Sequence, residues 1–182
     1  VGNKVYLASR HGLYNYDLSN EKEIKIDAPL LNDRIPRIAP FKDEILLVAT
    51  HNNGLVLYNE DIIQAITKED GLTGNFVNDI YVQNDSVVWA CTSSGLNRIE
   101  FDRAGKYSIT SITRAQGLID NDVTDIEIID NIVWVGTRQG LCSFPLSVLN
   151  KDDPGRFHHL RMLKMRVNGN IIDDFSELDY TQ

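Results

Sequence analysis

Along this chain apolar residues fall in short runs rich in valine, isoleucine, threonine and aromatics, and glycine, asparagine and aspartate interrupt them at close intervals. An amphipathic helix would space its apolar positions three and four residues apart. The runs here are strand-sized instead, as in Ile45-Leu46-Leu47-Val48-Ala49. One unit parses completely, into strands over Val77–Val82, Val87–Cys91, Gly95–Ile99 and Tyr107–Thr113. The turns between them, Gln83–Ser86, Thr92–Ser94 and Asp102–Lys106, carry residues that tolerate positive φ or hydrogen-bond their own backbone. The pattern predicts an all-β chain.

The same unit recurs. Ile66-Thr67-Lys68-Glu69-Asp70-Gly71-Leu72 reappears as Ile112-Thr113-Arg114-Ala115-Gln116-Gly117-Leu118, and Val77-Asn78-Asp79-Ile80 as Val123-Thr124-Asp125-Ile126. Trp89-Ala90-Cys91-Thr92-Ser93-Ser94-Gly95-Leu96 reappears as Trp134-Val135-Gly136-Thr137-Arg138-Gln139-Gly140-Leu141. Two fainter copies lie upstream, at Val5–Leu13 and Leu46–Leu55, where Tyr6 and Leu47 stand in the tryptophan position. The anchoring glycines Gly12, Gly54, Gly95 and Gly140 are separated by 42, 41 and 45 residues. Propeller blades, four-stranded sheets of about 40–50 residues, have this period. Each Gly-Leu step should open a third strand, where a missing Cβ permits a sharp reversal. Trp89 and Trp134, mid-strand at equivalent places, should pack between neighbouring blades.

The phase of the repeat predicts incomplete ends. The chain opens on a second strand, so the first blade lacks its innermost strand, and the last drifts into Pro145–His159 without a clear fourth. We therefore expect an arc of a larger ring, with blades over 1–145, a linker over 146–160 and a different β domain beginning at 161–182. The chain opens at Val1 without a methionine or a signal-like region and reads as a segment of a longer protein.

Composition narrows the function classes. The formal charge of −8 without a compensating basic patch argues against a nucleic-acid partner. Cys91 and Cys142 are far apart and in no paired spacing, so a zinc site is not expected, and buried thiols inside strands are the simpler reading. Asp120, Asp122 and Asp125 are acidic neighbours without the glycine and terminal glutamate of a calcium loop. Phosphate-binding and nucleophile-elbow motifs are absent. No cofactor is expected.

The stretch Trp134–Leu141, together with Gln116-Gly117-Leu118 and Asn121–Ile126 before it, resembles the two-component regulator propeller repeat. After the last blade, Leu160–Asn170 alternates apolar and basic residues and turns at Asn168-Gly169, resembling the first strands of the triple-tyrosine (Y_Y_Y), immunoglobulin-like β-sandwich that follows such propellers. The resemblance implies the periplasmic sensor region of a hybrid two-component histidine kinase, anchored through the inner membrane in its full-length form and self-associating as a homodimer. It implies a carbohydrate signal, an oligosaccharide or other small periplasmic ligand, and no catalysis within the segment. A protein-interaction scaffold is the alternative, since the fold alone would serve one equally. A propeller glycosidase or lyase is a third reading.

In a four-stranded meander, the turn between strands two and three shares a face with the loop entering strand one. Arg10, His11, His51, Asn53, Arg138 and Gln139 should therefore meet Thr73–Phe76 and Ile119–Asp122 on one rim, and these six are the candidate ligand-binding residues. Arginine is the most informative member, because its planar fork can clamp a carboxylate or sulfate. A second basic stretch, Arg156–Arg161 with His158 and His159, is the fallback site.

Overall fold

The computed structural model describes residues 5–42, 44–60, 63–149, 165–167 and 170–172, the last two stretches as backbone. Blade one contains β1 (Val5–Ser9), β2 (Gly12–Asp17) and β3 (Lys22–Lys25). Blade two follows with β4 (Ile38–Phe41), β5 (Ile45–Ala49), β6 (Leu55–Tyr58) and β7 (Ile63–Ile66). Blade three comprises β8 (Val77–Asn84), β9 (Val87–Thr92), β10 (Gly95–Phe101) and β11 (Tyr107–Ile112). Blade four has β12 (Val123–Ile129), β13 (Ile132–Thr137) and β14 (Gly140–Pro145), and a 3-10 turn at Leu146–Leu149 ends it. Every described blade is an antiparallel meander in sequence order, as expected of propeller blades. A hairpin of β15 (Met165–Val167) and β16 (Asn170–Ile172) stands where the second β domain was expected to begin. The rest of that expectation, the linker beyond Leu149 and the Arg156–Arg161 stretch lie outside the described residues. Among the described residues no helix is long and apolar enough to cross a membrane.

Burial follows from stacking. In β9 every residue is buried, because alternate side chains serve the blade on either side. Val88 and Ala90 join Phe41, Leu47, Ala49 and Leu55 between blades two and three. Val87, Trp89 and Cys91 join Leu118, Val123, Ile126, Val133 and Val135 between blades three and four. A third cluster, with Leu13, Leu31, Val48 and Val56, joins blades one and two. The strand β13 alternates instead: Val133, Val135 and Thr137 are buried against blade three, whereas Ile132, Trp134 and Gly136 are only partly covered. The expectation that both tryptophans are packed between blades is therefore corrected for Trp134, whose ring is half-buried on the face that looks away from blade three.

One hydroxyl at the end of each second strand shapes the following turn. Ser9, Thr50, Thr92 and Thr137 donate Oγ–H to the carbonyls of Gly12, Gly54, Gly95 and Gly140 at 2.8–2.9 Å. The same oxygens accept from the backbone N–H of His11, Asn53, Ser94 and Gln139. The glycine must reverse the chain at positive φ, and at Gly54 (φ +72°) a Cβ would stand 2.2 Å from the Ile66 carbonyl oxygen. Both cysteines are free and buried, and burial pushes the Cys91 thiol far above its ordinary range.

Candidate ligand-binding rim

The loops that enter the inner strands are built by a short code. Thr67 and Thr113 each open a 3-10 turn in a reciprocal capping box, with Asp70 and Gln116 accepting from their backbone N–H at 2.9 and 3.0 Å. Gly71 and Gly117 end the turns in the left-handed region, and Leu72 and Leu118 drop into the core. Asn75 and Asn121 then close the loops, each accepting through Oδ1 at 2.7 Å from Lys68 and Arg114 backbone N–H. The repeated Gly-Leu…Asn motif is thus the frame of each loop.

Backbone hydrogen bonds stitch these loops to the strand-two/strand-three turns. Gly54 N–H donates to Asn75, and Val77 N–H to Thr50, at 3.0 and 2.9 Å. Ser93 N–H reaches Phe76 and Arg138 N–H reaches Asp122, at 3.0 and 3.1 Å. In blade two the loop before β4 takes the same place: Ile35 N–H donates to Ser9 at 2.9 Å, and His51 N–H to Arg34 at 3.2 Å. Turns and loops form one rim.

The sequence-derived residues fare differently on it. Arg10, His11 and Gln139 are exposed. Arg138 is exposed too, but its Nε is 2.5 Å from Asp122 Oδ2, so its charge is paired within the rim. The His51 ring packs on Phe76 with centroids 3.7 Å apart. Burial, then the Arg34 charge, depresses the imidazole pKa, and Asp33 opposes them. Asn53 Nδ2 donates to the Leu30 carbonyl at 3.1 Å and so fastens a loop. Sequence reasoning missed Arg34 and Lys25. Blade two's entering loop lacks the Gly-Leu signature of its successors, which left Arg34 unplaced. Lys25 closes β3, yet its Cε lies 3.2 Å from where a Cβ on Gly12 would stand.

Below the rim, one position of the inner-strand repeat makes a ladder. Arg37, Asp79 and Asp125 occupy it in blades two, three and four, and Arg37 Nε is 3.4 Å from Asp79 Oδ1. Burial pushes the Asp79 carboxyl up, a hydrogen bond from the Ile80 backbone resists, and the charge and hydrogen bond of Asp125 push it further, against Arg37. Asn78 Nδ2 donates to the Val123 carbonyl at 2.8 Å, tying blades three and four. Among the described residues no group of three or more metal-ligating side chains is assembled. On the opposite edge of the sheets, Phe41, Leu57 and Phe101 wall an apolar cavity of about 170 Å³ with Lys42 at its mouth. The rim, not that cavity, gathers the polar side chains.

Stacked antiparallel meanders with a polar rim define an arc of β-propeller blades. No protein-family model and no curated protein matches the chain. Among solved structures it is similar to the extracellular domain of the proposed hybrid two-component system BT3049 of B. thetaiotaomicron, at 20% identity and a TM-score of 0.66. That match covers 92% of this chain and 25% of the other. It is similar at 25% identity and a TM-score of 0.62 to the extracellular domain of BT4673 of the same organism, described in one structure as a one-component and in another as a hybrid two-component system. This second match covers 79% of this chain and 19% of that one. The chain thus spans about a quarter or less of these extracellular domains. The computationally designed Ika4 protein shares the fold at 16% identity and a TM-score of 0.54, over 80% of this chain and 86% of its own.

Proposed function

We propose that this chain is part of the extracytoplasmic sensor region of a hybrid two-component histidine kinase, and that its rim contributes to recognising an oligosaccharide. The observation that carries the reading is the likeness to the BT4673 extracellular domain, at 25% identity over 79% of the chain. The rim adds to it, because a few placed donors and acceptors on a rigid scaffold suit specific binding. On this reading the segment lies on the periplasmic side of an inner-membrane protein, carries no catalytic step, and works in a homodimeric receptor. The triple-tyrosine sandwich would continue from the β15–β16 hairpin.

The test is calorimetric titration of the purified chain with a panel of neutral and acidic oligosaccharides, followed by product analysis of the same sugars. Binding with intact sugars supports the sensor reading. Cleavage would replace it with a glycosidase or lyase, and absence of binding to every sugar would remove the rim from recognition.

A further inference from the structure

Charge is not spread evenly along the rim. At blades one and two the cations gather. Arg10 and Arg34 each stand one residue from the Ser9–Ile35 hydrogen bond, and Lys25 reaches the same turn beside Gly12. None of the three side chains makes an ion pair among the described residues. Of the two acids in the loop between β3 and β4, Asp27 lies at its start. Asp33 is engaged by the backbone N–H of Arg34 and Asn52, both at 2.7 Å, and by Asn52 Nδ2 at 3.0 Å. His51 is held toward its neutral form beside Arg34 and contributes a flat, apolar wall with Phe76. Blades three and four reverse the sign, with Asp79, Asp120, Asp122 and Asp125 on or under the rim and Arg138 paired to Asp122.

We infer that the blade-one and blade-two end of the rim is an anion subsite, taking a sugar unit that bears a carboxylate or sulfate. The inference rests on the oligosaccharide reading above and adds the charge of the ligand. Two arginines and a lysine carried on or beside one turn, with no side-chain ion pair among the described residues, raise the local potential and offer charge-assisted hydrogen bonds. The acidic half of the rim repels the same group, so orientation along the rim is set as well.

The experiment titrates the chain with trigalacturonic acid, a sulfated chondroitin disaccharide and neutral galactotriose. It compares wild type with Arg10→Ala/Arg34→Ala and with Arg103→Ala, an exposed cation in the β10–β11 turn away from the rim. At least one acidic sugar should bind at least about tenfold more tightly than galactotriose. The Arg10/Arg34 double substitution should weaken it by about tenfold or more, and Arg103→Ala by less than about twofold. Far-UV circular dichroism verifies that these surface variants fold. Galactotriose binding as tightly as the acidic sugars, or acidic binding unmoved by the double substitution, overturns the anion subsite and leaves the oligosaccharide reading standing. No binding of any of the three overturns both.

Discussion

The two tryptophans occupy the same repeat position in different surroundings, which makes them a matched test of blade stacking. Trp89 is fully buried, with Nε1 donating to Gln83 Oε1 at 2.9 Å and the Arg98 guanidinium 5.9 Å from its ring. Trp134 is only partly covered, on the face of β13 that looks away from blade three. A fully buried tryptophan hides about 200 Å², worth roughly 5 kcal/mol at 25 cal/mol per Å². Trp89→Ala should therefore cost about 3–5 kcal/mol. Trp134→Ala should cost about half, roughly 1.5–2.5 kcal/mol. Urea unfolding followed by far-UV circular dichroism gives both values. Because the chain has only these two tryptophans, each variant also leaves a single fluorescent reporter. Emission from Trp89 should be blue-shifted relative to Trp134 in the folded state. Equal losses, or a larger loss at Trp134, would refute the one-sided packing of blade four.

Thr92→Val keeps the shape but removes a buried hydroxyl that serves Gly95, Ser94 and Thr73, and should lower stability by about 1–3 kcal/mol in the same unfolding assay. Gly54→Ala should lower the melting temperature well beyond Gly105→Ala. Both glycines have positive φ, but only Gly54 would drive a Cβ into backbone, while Gly105 has nothing within 4 Å. The raised Asp79 carboxyl means the folded chain holds that proton more tightly than the unfolded one. Its contribution is present below the ordinary carboxylate range and is lost as pH rises through the raised value. Asp79→Asn should therefore gain stability relative to wild type as pH increases from 4 to 7. Thermal melts across that range check the difference, and a flat difference curve would contradict it.

Strand positions, their order and the turn glycines were legible because each blade repeats the same local chemistry. In the structure the runs at Val77, Val87 and Gly95 extend by one or two residues, and that at Tyr107 ends one residue earlier, at Ile112. The exposure of Trp134 was not legible, since sequence marks the repeat position but not whether a neighbour stacks on that face. On the rim, the individual states of the turn residues depend on contacts between distant segments, which sequence does not show. Arg138 is neutralised by Asp122, sixteen residues away, and Asn53 is held by Leu30, twenty-three residues away. Arg34 escaped because blade two's entering loop carries no Gly-Leu mark, and Lys25 because nothing local ties the end of β3 to Gly12.

The hydroxyl-and-glycine lock in each turn separates two tasks that one short segment usually shares. Backbone shape is fixed by the first residue and the last, through bonds that never involve the side chains between them. In blades one, three and four those intervening pairs, Arg10-His11, Ser93-Ser94 and Arg138-Gln139, are exposed. They behave as interchangeable sockets on a common frame. The frame leaves the identity of these pairs free to vary two letters at a time, with the scaffold's stability nearly untouched.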